Sequence, residues 1–456
     1  MSQTLRGLWL GVKRVLAPSS GRASFASGTV WSAVGIGVSS VTMLAANLLA
    51  VATSSTAAFG DLAVVTAVLF LVGTTARLGA NQLIIAEIHD AEHHAGELAG
   101  RQRGADLIAF VLVTGVLAGF ALWIPPARHL VETALSGPLT NAEITALDIW
   151  LVAEVVRLVV SEAHRARYQF KLATTAGQAR APLFLILLAV LAAVHAGRMG
   201  RSDLLWASAL ASGVLCLVAL ATAAPWFGWW HANPLRSARF LWRGHLSMLL
   251  ATIAAALIGS ADVWILGSTA DAETRASYGL AVTLVAGIGV LGVAVASGLA
   301  PFLASASAQS SLHAIQGKVR SYVRGASALA FVALVLLVVV AGPIARTLGG
   351  DGYGHITVFV AILGCGQLAG VVAGVGGMVL IVARHYRANA MVAVGVALTG
   401  VLLEGFAAWA LHSPILVASA SGLATAALHT VSAVVLFRVM RVRTDAFAPA
   451  YQQAAH

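Results

Sequence analysis

Several ionisable residues lie within long apolar stretches of this 456-residue chain. An ionisable side chain inside a membrane span costs about 2.5–3.5 kcal/mol on insertion scales, so each one needs a charged partner or a water-filled cavity. Residues of this kind commonly line the path of an ion or a polar substrate. The primary candidates for such a path are Arg77, Glu154, Arg157, Asp262 and Glu404, and the secondary candidates are Asp148, Asn81 and Gln82.

Glu154 and Arg157 have the most informative spacing. They are three residues apart, so on one helix they share a face and can form an ion pair. Such a pair either faces a cavity on the translocation path or clamps two helices together without touching a substrate. Arg77 lies 17 residues after Gly60, roughly 25 Å along a helix. It is either a cavity residue or a side chain that extends to the inner headgroups.

Asp262 and Glu404 are the acidic candidates of the second half of the chain. Asp262 is close to the outer end of its predicted span, where it is either a structural anchor for the next hairpin or a cavity residue. Glu404 is the single acid of its span and either serves as a protonation or cation site or has no functional role. We expect no cofactor at these acids other than a coupling ion, Na⁺ or H⁺.

Motifs for enzymatic chemistry are weak. The segment from His89 to His93 matches an H-x-x-E-H zinc pattern. A zinc site needs further ligands and an enclosed cleft, and nothing nearby in the sequence supplies them. We therefore predict a solvated loop or helix end there and no metal site. We find no glycine-rich phosphate loop and no Ser-His-Asp set in the sequence, so no catalytic residues are predicted.

The composition is that of a polytopic membrane protein. Hydrophobic residues make up 59% of the chain and charged residues only 10%, against roughly 25% charged residues in soluble domains. Many segments exceed the ~18 apolar residues that mark a membrane-spanning helix. Twelve spans are predicted near 27–52, 59–84, 105–124, 143–162, 179–196, 203–230, 245–267, 277–300, 325–348, 356–383, 388–411 and 415–437.

The net charge of +10 reflects membrane topology rather than nucleic-acid binding. With twelve spans, the N-terminus and every second loop carry most of the basic residues, including Arg165, Arg167, Lys171 and Arg180. The opposite loops hold only Arg128, Arg198, Arg201, Arg275 and Arg346. The positive-inside rule then places both termini in the cytoplasm.

The spans and loops predict five regions. Residues 1–24 form a cytoplasmic segment, either a short amphipathic helix on the inner leaflet or a basic tail. They are too polar for a cleavable signal peptide. Residues 25–230 and 245–438 form two six-helix lobes, joined by a cytoplasmic linker at 231–244 and followed by a tail at 439–456.

An internal repeat supports the two-lobe division. Phe59-Gly60 matches Tyr278-Gly279, Gly73 matches Gly292, and Gly79 matches Gly298, all at an offset of 219 residues. Each half therefore opens with a similar hairpin of membrane helices.

These residues resemble a known family. The chain is similar to the Wzx-type polysaccharide flippases of the multidrug/oligosaccharidyl-lipid/polysaccharide (MOP) exporter superfamily. The residues that carry the similarity are Asp262, Leu266-Gly267, Tyr278-Gly279 and Pro301, with Phe59-Gly60, Arg77-Leu78-Gly79 and Arg165-Ala166-Arg167-Tyr168. The resemblance implies two pseudo-symmetric six-helix lobes in a V shape. It also implies alternating-access movement of a polyprenyl-pyrophosphate-linked oligosaccharide from the inner to the outer leaflet, for cell-surface polysaccharide biosynthesis.

The resemblance further implies a cationic central cavity, for which only Arg77 and Arg157 could supply the charge. Ile84 and Glu87 stand where the family commonly has a basic residue, and the second half has no intramembrane Arg or Lys. These departures leave open a substrate that is not anionic or is held differently. The implied location is a bacterial-type plasma membrane, with membrane lipids and a polysaccharide polymerase or other export machinery as partners.

Two other functions stay open at this stage. A Na⁺- or H⁺-coupled multidrug or small-solute exporter of the same superfamily would use Glu154, Asp262 or Glu404 as its coupling site. An integral-membrane transferase acting on lipid-linked sugars would ordinarily place carboxylates or histidines in a sizeable loop, and the predicted loops are short. A transporter rather than an enzyme is therefore expected.

Overall fold

The protein is built from helices. The computed structural model describes residues 23–167, 169–195, 198–227, 232–237, 246–308, 312–349, 353–383 and 385–446. No β-strand occurs within these ranges, where an isolated bridge joins Ser54 to Met199. The predicted amphipathic segment at 1–24 and much of the linker and tail lie outside the described residues, so the proposed region boundaries stay predictions.

The first half contains α1 Ala23–Thr53, α2 Thr56–Ala76, α3 Ala80–Ala95, α4 Glu97–Phe120, α5 Pro125–Glu132, α6 Asn141–Ala166, α7 Phe170–Gln178, α8 Arg180–Val194 and α9 Arg201–Ala223. The second half contains α10 Leu246–Ile258, α11 Ala261–Thr269, α12 Ala272–Ala308, α13 Leu312–Gly349, α14 Ile356–Ala373, α15 Gly376–Val382, α16 Tyr386–Trp409 and α17 Pro414–Met440.

Among the described residues, nine helices are long and apolar enough to cross a membrane, and two bent helix pairs bring the number to eleven. α6 has 26 residues, which is also long enough. It falls outside that count because its sequence is rich in charged residues. The prediction of an all-α polytopic membrane protein with about twelve transmembrane helices therefore agrees with the observed helices.

Local sequence explains where several helices begin. Ser55 caps α2 by accepting a hydrogen bond from the Ala58 amide, at 3.2 Å. Thr140 and Glu143 form a reciprocal capping box at the start of α6, an arrangement that satisfies two otherwise unpaired backbone donors. The capping box therefore fixes the residue at which the charged helix α6 begins.

Glycine and serine break three of the predicted spans. The span predicted near 245–267 bends by 44° between α10 and α11, at Gly259-Ser260. The span near 356–383 stops at Gly374, whose φ of +84° a side chain would disfavour. The span near 59–84 ends at Ala76, because the chain turns through left-handed conformations at Leu78 and Gly79 before α3.

The two halves of the chain pack as two lobes. In the N-lobe, α1 to α9, α6 packs centrally against α4 and α9; in the C-lobe, α10 to α17, α14 packs against α12 and α17. Between the lobes, α12 lies on α1 and α2, while α10 and α11 also contact α2. We call the end that holds the α1–α2 and α11–α12 turns the outer end, after the predicted topology.

The start of the interlobe linker is attached to the N-lobe. Asp106, buried in α4, accepts hydrogen bonds from the Asn233 amide at 2.7 Å and from Arg236 Nη1 at 3.2 Å. Ser237 is fully buried. Asn233 and Arg236, within the predicted linker, are therefore held against α4.

Candidate functional site

The ion pair predicted between Glu154 and Arg157 is present on α6. Arg157 Nη2 lies 2.6 Å from Glu154 Oε1, and the Arg157 side chain is only 2% exposed while that of Glu154 is 30% exposed. Arg157 Nη1 also donates a hydrogen bond to the Ala176 carbonyl on α7. The pair thus anchors α7 to α6, and the second oxygen of Glu154 accepts a hydrogen bond from Ser212 Oγ at 3.4 Å.

Arg180, the first residue of α8, joins this pair. Its Nε donates to Ser212 Oγ at 3.0 Å and lies 3.9 Å from Glu154 Oε2. Its guanidinium stacks over Trp150 at 4.8 Å from the ring centroid and over Phe184 at 5.6 Å. Stacking on aromatic faces fixes the plane of a guanidinium while leaving its N–H edge available.

The sequence predicts Arg180 in a cytoplasmic loop. In the structure it follows the 42° bend between α7 and α8, two helices that together are long and apolar enough to form one span. α7 mixes apolar and polar residues, so its sequence carries little sign of a membrane helix. The aromatic residues Trp150 and Phe184, both buried, were the available signal.

Arg77 lies beside the same group rather than at the surface. It caps the C-terminus of α2, is 8% exposed, and donates from Nη2 to Thr74 Oγ1 at 2.8 Å. It interacts electrostatically with Glu154 and Arg157. We call Arg77, Glu154, Arg157 and Arg180 the N-lobe cluster.

The N-lobe cluster has an excess of positive charge. It holds three guanidinium groups against one carboxylate; nearby Glu162 pairs with Arg165 at 2.8 Å. The Nε atoms of Arg77 and Arg157 are buried and have no hydrogen-bond partner among the described groups. Buried donors without partners and a net positive charge favour binding of an anion.

In the C-lobe, in contrast to the N-lobe cluster, acidic residues lie close together. Asp262, in the first turn of α11, accepts hydrogen bonds from its neighbour Val263 N at 2.8 Å and from Ser421 Oγ on α17 at 2.7 Å. Its Oδ2 also accepts a hydrogen bond from Tyr278 Oη on α12. The Tyr278 ring packs edge-on against Phe359, with centroids 5.2 Å apart.

Glu404 completes this arrangement. It is 1% exposed, interacts electrostatically with Asp262, and its Oε2 has no hydrogen-bond partner among the described groups. α16 and α17 approach closely at Gly400, where an added Cβ would lie 2.9 Å from Ala424 Cβ. We call Asp262, Tyr278, Glu404 and Ser421 the C-lobe acid cluster.

The chemistry of the C-lobe acid cluster suits a proton or a hard cation. Two carboxylates and two hydroxyls offer only oxygen ligands, which hard cations prefer. Among the described residues, no group of three or more His, Cys, Asp or Glu side chains could hold a metal ion. The side chains of His89 and His93 lie outside the described part of the chain.

The secondary candidates are placed elsewhere. Asp148 lies on α6 and accepts a hydrogen bond from Trp123 Nε1, in the 3-10 turn that follows α4. It is not part of either cluster. Asn81 and Gln82 belong to α3, and their side chains lie outside the described part of the structure.

Asp61 is a buried charge that the sequence reasoning missed. It is fully buried in α2 and accepts hydrogen bonds from Ser136 N at 2.9 Å and from Ser136 Oγ. Arg201 Nη1 donates to its Oδ2 at 3.2 Å, and Arg275 Nη1 from the C-lobe lies 3.6 Å from Oδ1. Asp61 directly follows Phe59-Gly60, so the test applied to the other buried charges would have identified it.

One matched pair of the repeated glycines, Gly60 and Gly279, lies at the contact between the lobes. A Cβ on Gly279 would lie 2.4 Å from Ala63 Cβ on α2, and one on Gly60 would lie 3.3 Å from Arg275 Cβ. The absence of a side chain at these positions lets α2 and α12 pack closely. Gly73 and Gly292 instead pack within their own lobes, against Val155 and Val371.

A groove runs along the surface of the C-lobe between α16 and α17. Its volume is about 620 Å³, and it is lined by apolar and small residues that include Met391, Gly395, Thr399, Leu403, Leu423 and Val431. Both helices are candidate membrane spans. The groove therefore lies between two candidate membrane spans and has an apolar lining.

No protein-family model matches the chain, and no curated protein sequence matches it. Several solved structures do align with the chain. The lipid II flippase MurJ in an inward closed conformation aligns with a TM-score of 0.66 and 11% identity, over 91% of this chain and 88% of that one.

Two other transporters align similarly. A MOP superfamily transporter from Pyrococcus furiosus has a TM-score of 0.64 and 14% identity, over 94% of this chain and 97% of that one. A variant of the MATE transporter VcmN of Vibrio cholerae has a TM-score of 0.59 and 15% identity, over 92% and 98%. The chain therefore has the fold of MOP superfamily transporters, as the resemblance implied, although none of these three is a Wzx-type flippase.

Proposed function

We propose that this protein is a flippase that moves a polyprenyl-pyrophosphate-linked oligosaccharide from the inner to the outer leaflet by alternating access. The observation that carries the proposal is the N-lobe cluster, a net positive group within membrane helices that has unpartnered guanidinium donors. The fold adds support, because MurJ is a lipid II flippase. A transferase has less support, because the described loops that connect the helices are short.

The N-lobe cluster would hold the pyrophosphate. Arg157 and Arg180 present planar donor groups, and such groups bind phosphate oxygens in pairs. Glu154 balances the charge of the arginines while the site is empty, which lowers the cost of keeping three cations inside the membrane. When the anion binds, it replaces the carboxylate as the partner of at least one guanidinium.

The lipid tail would stay in the hydrocarbon region. The groove between α16 and α17 has the apolar lining that a polyprenyl chain requires, and it is accessible from the bilayer. The sugar part would occupy the hydrated space between the lobes. In this arrangement only the charged headgroup needs a protein path across the membrane.

The C-lobe acid cluster would bind the coupling ion, Na⁺ or H⁺. Substrate and ion then occupy different lobes, so they communicate through movement of one lobe relative to the other. The proposal also includes the bacterial-type plasma membrane, cytoplasmic termini and a polymerase or other export partner.

An ion-coupled multidrug or small-solute exporter is the second candidate. The C-lobe acid cluster is the observation that favours it, since a buried acidic site can serve ion coupling with any substrate. In that case the N-lobe cluster would be a helix clamp.

The test is mass spectrometry of lipids that co-purify with the protein in native-lipid nanodiscs. We expect a polyprenyl-pyrophosphate glycan with the unaltered chain and its loss in Arg157→Ala and Arg180→Gln. Arg165→Gln is the matched control, because Arg165 lies on the same helix α6 but pairs with Glu162 outside the cluster. Recovery of ordinary phospholipids alone, together with cation-driven export of small solutes, would contradict the flippase proposal.

A further inference from the structure

The first two turns of α12 contact both lobes. On one side Tyr278 Oη donates a hydrogen bond to Asp262 in the C-lobe acid cluster. On the other side Arg275, three residues earlier, donates from Nη1 to the Ala134 carbonyl at 3.1 Å and lies 3.6 Å from Asp61. Residues three apart are neighbours on a helix surface. A displacement of Tyr278 therefore moves Arg275 as well.

The N-lobe side of this contact is a network of ion pairs at the outer end. Asp61 accepts from Ser136 and from Arg201, and Arg201 Nε lies 2.8 Å from Glu143 Oε1. Arg275 is the residue that the C-lobe adds to this network. We call Asp61, Glu143, Ser136, Arg201 and Arg275 the outer lock.

Close packing makes the contact intolerant of small shifts. The backbone of α12 at Gly279 approaches α2 so closely that an added Cβ would lie 2.4 Å from Ala63 Cβ. The rings of Phe59 and Tyr353 meet across the same interface, with centroids 6.4 Å apart. Packed interfaces of this kind switch between discrete arrangements rather than deform gradually.

Ion binding in the C-lobe acid cluster competes with the Tyr278 hydrogen bond. Asp262 Oδ2 already accepts from Tyr278 and Ser421. A cation between Asp262 and Glu404 would take the same carboxylate lone pairs, and a proton on Asp262 would turn an acceptor into a donor. Among the described residues, the titratable groups that interact with Asp262 are Tyr278 from α12 and Glu404 from α16; α17 contributes the uncharged Ser421.

We propose that Tyr278 is a positioning residue that couples ion binding at Asp262 and Glu404 to release of the outer lock. When the ion takes the Asp262 oxygen, Tyr278 loses its acceptor and the start of α12 moves. Arg275 then leaves Asp61, and the outer ends of the lobes separate. The inference rests on the proposed function, because it specifies how the coupling ion drives alternating access.

The experiment measures the distance between the outer ends of the lobes in lipid vesicles that contain no lipid-linked sugar. Spin labels at Leu130→Cys in the N-lobe and Leu411→Cys in the C-lobe report it by double electron–electron resonance; both positions are exposed. The native Cys216 and Cys365 are replaced by alanine. We expect the coupling cation, added as Na⁺ or as acid, to raise the ratio of open to closed distances about tenfold, within the usual range of coupling between sites.

Tyr278→Phe tests the hydroxyl alone, because phenylalanine keeps the ring that packs on Phe359. We expect the cation response to fall below about fivefold, the lower end of the usual range of coupling between sites. Tyr353→Phe is the matched control, because Tyr353 is buried in the same interface but does not contact Asp262. A full cation response in Tyr278→Phe, or none in the unaltered chain with either cation, would overturn the proposal.

The lock is tested independently of Tyr278. Arg275→Gln should leave the outer end open without cation, and Arg275→Lys, which keeps the charge beside Asp61, should restore the response. An outer end that stays closed in Arg275→Gln would overturn the proposal even where Tyr278→Phe fails to fold. Because no substrate is present, a chain that opens with cation but does not move lipid-linked sugar contradicts the proposed function and leaves this inference standing.

Discussion

The N-lobe cluster and the C-lobe acid cluster differ in the sign of their net charge. In the N-lobe, three arginines surround Glu154, whereas the C-lobe acid cluster consists of two carboxylates and two hydroxyls. The internal repeat shows how the halves diverged. At the offset of 219 residues, Ala296 stands opposite Arg77 and Leu280 stands opposite Asp61. The two halves therefore keep matching residues at Gly60 and Gly279, where they meet, and differ at the charged positions.

The largest effect is expected from Arg157→Ala. It leaves Glu154 without its closest partner. Breaking a fully buried ion pair on one side costs about 3–5 kcal/mol, and the cost here is expected at or below the lower end of that range, because Glu154 is 30% exposed and keeps Arg180 nearby. We expect a lower unfolding midpoint and loss of lipid-linked oligosaccharide translocation in reconstituted vesicles. The double variant Glu154→Ala with Arg157→Ala should regain much of the stability but not the translocation. If the double variant translocates normally, the pair is only a helix clamp.

A matched pair of variants separates the roles of the two lobes. Glu404→Gln removes an acid from the C-lobe acid cluster, so translocation should lose its dependence on Na⁺ or H⁺. The loss in rate is expected to be about tenfold, in the usual range for coupling between sites. Arg180→Gln should instead raise the substrate concentration needed for half-maximal rate while keeping the ion dependence. If Arg180→Gln removed the ion dependence and Glu404→Gln raised the substrate concentration needed for half-maximal rate, the roles proposed for the two lobes would be reversed.

A smaller effect is expected at the interface between the lobes. Gly279→Ala inserts a methyl group 2.4 Å from Ala63 Cβ, and overpacking of this kind costs about 1–3 kcal/mol. The thermal unfolding midpoint of the purified protein measures it. Gly287→Ala is the control, because it lies on the same helix with nothing within 4 Å of the added atom. Equal midpoints for the two variants would contradict the close packing described between α2 and α12.

The smallest effect concerns an acid outside the membrane spans. Arg128 donates a hydrogen bond to Glu132 at 2.7 Å and holds the pKa of that carboxyl below its ordinary value. A lowered pKa in the folded state stabilises the protein above the ordinary pKa, and the contribution disappears as the pH falls through the folded value. Glu132→Gln should therefore lower the unfolding midpoint slightly at neutral pH, with the difference vanishing in acid. A difference that grows in acid would contradict this.

Much of the fold could be predicted from the sequence, because long apolar segments have few alternatives in a membrane. The breaks within spans were harder to predict. The break at Gly374 depends on a left-handed backbone conformation, which a glycine permits but does not require. The bend at Gly259-Ser260 is equally undetermined by local sequence, since glycine and serine also occur in straight membrane helices.

The candidate site was predicted where its partners are close in sequence. Glu154 and Arg157 are one helical turn apart, so periodicity alone pairs them. Arg180 reaches the same site through the bend between α7 and α8, and Asp61 meets Arg275 only because the two lobes pack together. Contacts between distant parts of the chain depend on tertiary structure, which composition and spacing do not specify.

The attachment of the linker to the N-lobe limits how far two points of the chain can separate. Asp106 holds Asn233 and Arg236, and nine residue steps connect Ser237 to Leu246, the first residue of α10. A fully extended chain of this length spans roughly 30 Å. Under the proposed function, this distance would also limit the width of the headgroup that can enter between these two points.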